Sequence, residues 1–223
     1  MRETGKKYLL LGLGLTAAFA LLTWLLQVVD VKPLGVDGTD IGFSAWNCWF
    51  HRLWGVHLTL YVVTDWAGLV PIIAAASFGV LGLAQLIRRR SLWKVDADIL
   101  ILGGYYLVLI FLYLLFEMVP INYRPILING AREASYPSST TLLVLGVMLT
   151  LTEQLSRRCR SGRIRTVAAI STWSFSAFMV VGRLISGVHW LTDILGAAIL
   201  SAGLFCMYRG LVFLALKNHD RRG

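Results

Sequence analysis

Charged residues are scarce in this chain, and cysteine and proline are scarcer still. Only 15% of its 223 residues are charged and 57% are hydrophobic, whereas soluble domains carry roughly 25% charged residues. Composition of this kind is not typical of a soluble globular protein. It predicts an integral membrane protein with one domain, residues 1–223, whose length suits about six spans of about 20 residues each.

The number of cysteines and the distribution of the basic residues argue against two other classes, disulfide or cysteine-metal proteins and nucleic-acid-binding proteins. The three cysteines, Cys48, Cys159 and Cys206, lie far apart, so neither a disulfide framework nor a cysteine metal site is expected. The net charge of +9 comes from short basic clusters between apolar runs. Such clusters are typical of topology signals, so we expect a lipid bilayer, and not nucleic acid, as the partner.

Six apolar segments are long enough to be read as spans. They are Tyr8–Val29, Val56–Ile87, Ile99–Val119, Thr140–Leu155, Thr166–Gly182 and Trp190–Leu216. The second and the last exceed a bilayer thickness. Because no Ala-x-Ala-like cleavage site lies near Gln27, we expect a retained first span and not a cleaved signal peptide.

Residues 28–56 are expected to form an outer loop that contains an interfacial or re-entrant helix. Gly35, Gly38 and Gly42 lie in this loop, and it carries Trp46, Trp49 and Trp54. Tryptophan prefers the boundary between membrane and water, which is the basis of this expectation.

The lysines and arginines predict the orientation. Sixteen fall on one side of the spans, including Arg88–Arg90, Arg221 and Arg222, and five on the other: Lys32, Arg52, Arg124, Arg132 and Arg183. The richer side is expected to be cytoplasmic. We therefore expect a multi-pass protein of the plasma membrane with both termini inside and its site on the outer side.

The most informative polar residues lie in the stretch Arg183-Leu-Ile-Ser-Gly-Val-His189-Trp-Leu-Thr-Asp193. Charges at a membrane boundary are costly unless they pair or take part in chemistry. His189 and Asp193 are four residues apart, so we expect them to share a helical face, with the carboxylate holding the imidazole in one tautomer. Arg183 can bind an oxyanion through two hydrogen bonds. The pattern predicts phosphoryl transfer.

A second polar cluster lies between the third and fourth spans, on the same predicted outer face. It comprises residues 117–140, with Glu117, Arg124-Pro125, Arg132-Glu133, Ser135 and Pro137-Ser138-Ser139-Thr140. Arg124, Arg132 and Arg183 are expected to surround one anion. Ser138 and Ser139 precede a helix, whose first N–H groups can bind phosphate oxygens. Ser138 is also a typical N-cap.

Three motifs, Arg124-Pro125, Pro137-Ser138 and Arg183-x5-His189-x3-Asp193, resemble the signature of the type-2 phosphatidic acid phosphatase superfamily. Members of this family are membrane lipid phosphatases whose site is related to that of vanadium haloperoxidases. The resemblance covers the six-span layout and residues 117–193. It implies an all-α membrane protein, a six-transmembrane-helix bundle of the type-2 lipid phosphatase kind.

The resemblance also implies roles for these residues. His189 would be the nucleophile that forms a phosphohistidine, and Asp193 would orient it through the other ring nitrogen. Arg124, Arg183 and Ser138 would stabilise the pentacoordinate transition state, with about 3–4 kcal/mol from each well-placed donor. The family implies no metal or other cofactor, and a membrane lipid phosphate as substrate.

The chain departs from the family pattern at four positions. Glu117 replaces the lysine of the first motif, Ser139 and Thr140 replace the glycine and histidine of the second, and Gly182 replaces a serine of the third. The missing histidine normally protonates the leaving group, a contribution of about 10²–10⁴-fold in rate. A phosphate that leaves from a diphosphate needs this proton less than an alkoxide does. We therefore expect a preference for polyprenyl diphosphate, or a similar lipid, over phosphatidic acid.

Alternatives to the phosphatase are a lipid phospho- or headgroup transferase, and a catalytically degenerate protein that binds or transports lipid phosphates. In each case Ser139, Thr140, Glu117 and Arg132 are expected to contact the substrate. Glu117 is expected first to pair with Arg124 or Arg132; it could otherwise act as a replacement acid or attract a cationic headgroup or a divalent ion.

Polar residues outside the motifs have two interpretations each. Asp65 in the second span is either a functional residue, the default for an aspartate at membrane depth, or a structural hydrogen-bonding group. Arg132 and Glu133 alternatively form a solvated loop pair. His51 and His57 are expected at the membrane interface and not in the chemistry.

Overall fold

Helices make up 76% of the protein. The computed structural model describes residues 2–220, and within that range it contains no β-strand. The α-helices are α1 Arg2–Leu25, α2 Ser44–Trp54, α3 Leu58–Ala67, α4 Leu69–Arg89, α5 Ala97–Met118, α6 Ser139–Arg158, α7 Gly162–Ile185 and α8 Leu191–Asp220. The all-α class is confirmed.

Within the described residues, five helical stretches are long and apolar enough to cross a membrane. They are Glu3–Leu25, Leu58–Arg89, Ala97–Met118, Gly162–Ile185 and Leu191–Leu216. The fourth predicted span, Thr140–Leu155, does form a helix, α6, but α6 falls outside this set, so the count of six is not confirmed.

Burial explains why α6 is less apolar than its neighbours. It packs against α4, α5, α7 and α8. Gln154 is fully buried in it and donates to the hydroxyl of Tyr208 at 2.7 Å. Buried Thr150 lies 3.0 Å from the hydroxyl of Tyr106. A helix surrounded by other helices can carry polar side chains, because they find partners within the protein.

The second predicted span is divided into α3 and α4. Gly68 lies between the two helices, and Pro71 follows in the first turn of α4. Proline has no N–H, so it cannot bond to the carbonyl four residues earlier, at Ala67, and the helix is interrupted there. α3 packs against α7, and α4 packs against α5 and α6.

α1 and α8 pack antiparallel along much of their length. A Cβ atom on Gly12 would lie only 2.8 Å from the carbonyl oxygen of Gly203, a closeness of backbones that small residues allow in membranes. Near the other end of α1, the hydroxyls of Thr23 and Tyr136 are 2.9 Å apart. α1 therefore supports both α8 and the loop that precedes α6.

The loop between the first two spans contains the predicted helix as α2. Trp46 and Trp49 are 68% and 57% exposed. Buried Asn47 donates to the hydroxyl of Thr192 at 3.0 Å and accepts from its backbone N–H at 3.2 Å. α2 is thereby fixed against the first turn of α8, and its position at a membrane interface stays a prediction.

Ion pairs join the helices at the end of the bundle that carries the basic clusters. Arg89 pairs with Asp96 at 2.7 Å, and Arg158 pairs with Asp98 at 2.8 Å. The hydrogen bond from Arg89 holds the pKa of Asp96 below its ordinary value. Arg221 and Arg222, counted with the inner clusters, lie outside the described residues. The motif residues gather at the opposite end.

Candidate active site

The histidine of the third motif lies in a tight turn, residues 186–190, between α7 and α8. Gly187 has φ +70°, a conformation that favours glycine. A Cβ atom there would lie 2.0 Å from the carbonyl oxygen of Gly55. Nε2 of His51 lies 3.1 Å from the carbonyl oxygen of Gly187, so α2 supports this turn. The turn holds His189 with only 2% of its surface exposed.

Asp193 stabilises the beginning of α8. Its Oδ2 accepts the backbone N–H of Trp190 at 2.7 Å, and its own N–H donates to the carbonyl of Trp190 at 3.1 Å. This is one half of a capping box. Nδ1 of His189 and Oδ2 of Asp193 are 3.6 Å apart. The expected proximity is present, but the expected shared helical face is wrong, because His189 precedes the helix.

Ser135 connects the histidine and the aspartate. Its hydroxyl donates to Oδ2 of Asp193 and lies 3.3 Å from Nδ1 of His189. Since the serine proton goes to the carboxylate, the serine oxygen is left to accept a proton from Nδ1–H. This arrangement favours the tautomer that carries its proton on Nδ1 and leaves a lone pair on Nε2.

Nε2 of His189 is buried and has no hydrogen-bond partner among the described residues. Burial lowers the pKa of His189 well below its ordinary value, and the charges of Arg124 and Arg183 lower it further. The imidazole is therefore neutral at neutral pH. A neutral ring with a free nitrogen close to cationic side chains has the properties of a nucleophile.

Arg124 enters the site from the loop between α5 and α6. Its side chain is 8% exposed, and its Nη2 pairs with Oε2 of Glu133 at 3.1 Å. Its backbone N–H also donates to the carbonyl of Glu133 at 3.1 Å, which fixes the loop. Nε and Nη1 are buried and have no partner in the part of the chain that the structure describes. Two donors of this guanidinium are thus available to an anion.

Arg183 enters from the last turn of α7 and is 1% exposed. Its Nη2 lies 3.3 Å from Oδ1 of Asp65 and donates to the hydroxyl of Thr140 at 2.5 Å. Nε is buried and unpaired within residues 2–220. The residue at the family's histidine position, Thr140, therefore contacts the arginine of the third motif.

Tyr61 of α3 lies against both arginines. The centre of its ring is 4.9 Å from the guanidinium carbon of Arg183 and 5.7 Å from that of Arg124. Cations in contact with an aromatic face are stabilised by the charge distribution of the ring. One aromatic side chain thus brings together two like charges that would otherwise repel each other.

Ser138 forms the predicted cap at the beginning of α6. It is fully buried, and its Oγ accepts the backbone N–H of Thr141 at 3.4 Å. Its own N–H donates to the carbonyl of Asp193 at 3.1 Å, which joins the second motif to the third. Ser139 and Thr140 follow in the first helical turn, half-buried.

Two predicted site residues form no ion pair with this cluster among the described residues, although Glu117 lines a small cavity with Ser135 and Ser139. Arg132 is half exposed, with Nε 3.8 Å from Oδ2 of Asp37 and its guanidinium over the ring of Tyr123. Glu117 is exposed at the end of α5, and no ion pair links it to a basic side chain among the described residues. The expected pair of Glu117 with an arginine is therefore not formed.

The sequence does not single out two of the side chains that matter most. Ser135 belongs to the second polar cluster, but nothing in its spacing indicates a contact with His189. Tyr61 lies one helical turn before Asp65, on α3, a helix that carries none of the motifs. Their signal is three-dimensional, since each touches residues from other segments.

Among residues 2–220, no three His, Cys, Asp or Glu side chains are grouped to hold a metal ion. What the described residues provide is a buried neutral imidazole beside two partly unpaired guanidinium groups. Fold and site together define a helical membrane protein with a buried cluster of one histidine and two arginines.

The chain belongs to the PAP2 superfamily, whose family model matches residues 72–216. This confirms the resemblance seen in the three motifs. The fold is similar to a crystal structure described as the first transmembrane PAP2 type phosphatidylglycerolphosphate phosphatase from Bacillus subtilis. The TM-score is 0.56, with 16% identity over 95% of this chain and 96% of that one. No curated protein matches the sequence.

Proposed function

We propose that this protein is a membrane lipid phosphatase that hydrolyses a lipid phosphate or diphosphate through a phosphohistidine at His189. The observation that carries the proposal is the state of Nε2, which is buried and unpaired among the described residues. The charges of Arg124 and Arg183 lower the pKa of this histidine further, which favours the neutral ring that a nucleophile requires.

Substrate binding uses the unpaired donors of the two arginines. Nε and Nη1 of Arg124 and Nε of Arg183 are buried, and a buried donor without a partner is costly. A phosphate group satisfies these donors and brings the negative charge that two buried cations require. The first N–H groups of α6, beside Ser138, add further donors.

The chemical step is attack of Nε2 on phosphorus. The leaving group is the lipid alcohol from a lipid phosphate, or the lipid monophosphate from a lipid diphosphate. Attack makes the ring cationic, since Nδ1 keeps its proton. Asp193 stabilises that charge, both at 3.6 Å from Nδ1 and through the hydroxyl of Ser135. Water then attacks the phosphohistidine, the N–P bond breaks, and inorganic phosphate is released.

A diphosphate remains the preferred substrate on the basis of Thr140. A threonine hydroxyl is a poor acid, and this one is held by Arg183. When the terminal phosphorus of a lipid diphosphate is attacked, the leaving group is the lipid monophosphate, which needs protonation less than an alkoxide does. This preference is tested by comparing the rates of inorganic phosphate release from polyprenyl diphosphate and from phosphatidic acid.

The membrane arrangement belongs to the same proposal. We propose that α6 is the sixth span, that both termini are cytoplasmic and that the site faces the outer side of the plasma membrane. The support is the position of the basic clusters at the end of the bundle away from His189. A cysteine placed near Arg132 should then react with an impermeant reagent added outside cells.

Phosphate release by purified protein tests the function. The substrates are phosphatidic acid, phosphatidylglycerol phosphate, sphingoid phosphate and polyprenyl diphosphate in mixed micelles. Release from at least one lipid, lost in His189→Ala and kept in His57→Ala, supports the phosphatase. His57 is an exposed control whose Nε2 contacts only the carbonyl oxygen of Trp54.

Two other outcomes would replace the proposal. Transfer of the phosphoryl group or headgroup to an added lipid alcohol, without free phosphate, would make the protein a transferase. Equal binding of lipid phosphate by wild type and His189→Ala, with no product from either, would make it a binding or transport protein.

A further inference from the structure

Asp65 is a carboxyl group that the proposed mechanism has not used. It lies on α3, outside the residues that the family model matches. Its Oδ1 is 3.3 Å from Nη2 of Arg183, the same nitrogen that donates to Thr140. Asp65 and Thr140 are thus neighbours across one guanidinium nitrogen, on the side of the site where the family's histidine is replaced.

The side of Asp65 that does not face Arg183 is open to the outside of the helix bundle. The side chain is 57% exposed and belongs to a helical stretch apolar enough to cross a membrane. Its neighbours Trp66 and Val62 are also exposed, at 71% and 48%. A lipid substrate has its chain in this apolar surrounding, so the oxygen that joins chain and phosphate approaches from the side where Asp65 lies.

We propose that Asp65 is the general acid that protonates the leaving oxygen, in place of the missing histidine. This inference rests on the proposed phosphatase function but not on the preference for a diphosphate, because an acid at Asp65 supplies the proton that a lipid alcohol needs to leave. In the resting protein Asp65 pairs with Arg183. In the proposed complex the substrate phosphate binds the unpaired Nε of the same guanidinium, so the carboxyl group of Asp65 lies beside the phosphate and its leaving oxygen.

Solvent supplies the proton that the cycle needs, because the carboxylate of Asp65 is exposed. Once Asp65 carries this proton, the Nε2–P bond forms, the bond from phosphorus to the lipid oxygen breaks, and that oxygen takes the proton of Asp65. In the second step, Asp65 accepts a proton from the attacking water as the new P–O bond forms. The N–P bond breaks, its electron pair returns to Nε2, and Asp65 returns its proton to solvent when it re-forms the ion pair with Arg183.

Other carboxyl groups near the site are placed less well for this role. Glu133 pairs with Arg124 through both its side chain and its backbone carbonyl. Asp193 lies on the Nδ1 side of His189, away from the attacking nitrogen. Glu117 contacts neither arginine among the described residues. Asp65 is the one that shares a guanidinium nitrogen with the substituted position.

The test is how the effect of Asp65→Asn depends on the leaving group. The variant keeps the size and a hydrogen-bond acceptor but cannot donate a proton as an acid. We expect about 10²–10⁴-fold loss of kcat on an alkyl phosphate such as phosphatidic acid. We expect less than about tenfold loss on p-nitrophenyl phosphate, whose leaving group needs little protonation. Asp65→Glu should regain part of the alkyl phosphatase activity.

Asp40→Asn is the matched control, an exposed aspartate in the outer loop, and should behave as wild type on both substrates. Equal losses on the two substrates in Asp65→Asn would mean a structural role and overturn the inference. Unchanged alkyl phosphatase activity in this variant would overturn it too. If the wild type shows no activity that depends on His189, the proposed function itself has failed, which is a separate result.

Discussion

The ring of Tyr61 lies with its centre 4.9 Å from the guanidinium carbon of Arg183. The same ring also contacts Arg124, so one residue of α3 supports both buried cations of the candidate site. The arginines of the first and third motifs therefore depend on a helix that contains no motif.

Replacing Tyr61 should weaken substrate binding more than catalysis. Tyr61→Leu removes the aromatic face, and a cation–π contact contributes about 0.5–2 kcal/mol, so KM should rise by about 2–30-fold. Tyr61→Phe keeps the face and should stay close to wild type. Steady-state kinetics of both variants provide the measurement. A KM in Tyr61→Leu equal to that of Tyr61→Phe would show that the ring does not support the arginines.

Ser135→Ala should lower kcat by about 10–100-fold with little change in KM, because groups that orient a reactive side chain typically contribute this much. The serine hydroxyl contacts both His189 and Asp193 but faces away from Nε2. Ser176→Ala is the matched control, since that buried serine bonds only to the carbonyl of Thr172 in its own helix. Equal kinetics for the two variants would remove Ser135 from the mechanism.

The pH profile should show a nucleophile that stays neutral in acid. Burial, Arg124 and Arg183 all lower the pKa of His189, while the contact with Ser135 acts in the opposite direction. Activity needs the unprotonated ring, so the acid limb of kcat/KM should lie well below pH 6.5. Arg124→Gln removes a cation, raises the pKa of His189 and should move the limb to higher pH. An acid limb unchanged in Arg124→Gln would contradict this electrostatic account.

Gly187→Ala should unfold at a lower temperature than wild type and lose activity. A Cβ atom at this left-handed position costs about 1–2 kcal/mol and also meets the carbonyl oxygen of Gly55. Gly38→Ala separates the two effects, because Gly38 has φ +74° but open space around it. Thermal unfolding in detergent should rank Gly187→Ala below Gly38→Ala, with activity lost only in the former. Equal unfolding temperatures would mean that the turn relaxes.

Much of the helical layout could be predicted because lipid imposes long apolar runs. The prediction of a sixth span at α6 is not supported by the composition of this helix. Its polar residues Gln154 and Thr150 find their partners inside the protein. Hydropathy measures what a helix offers to lipid, and α6 mostly faces other helices. Its burial could not be derived from its own residues.

The candidate site could be predicted in part. Linear spacing identified His189, Asp193, Arg124 and Arg183, since these stand in recognisable motifs. It could not show that Arg132 turns towards Asp37, because both lie on exposed loops whose paths depend on distant contacts. Ser135 and Tyr61 reach the site only through the folding of separate segments.

Trapping of the phosphoenzyme tests the central claim most directly. Wild type, His189→Ala and His57→Ala are mixed with a lipid substrate labelled in its terminal phosphate and quenched in base, in which phosphohistidine is stable. The account predicts label on His189 in the wild type and in His57→Ala, and neither label nor phosphate release in His189→Ala. Phosphate release by His189→Ala at the wild-type rate, or label on another residue, would contradict it.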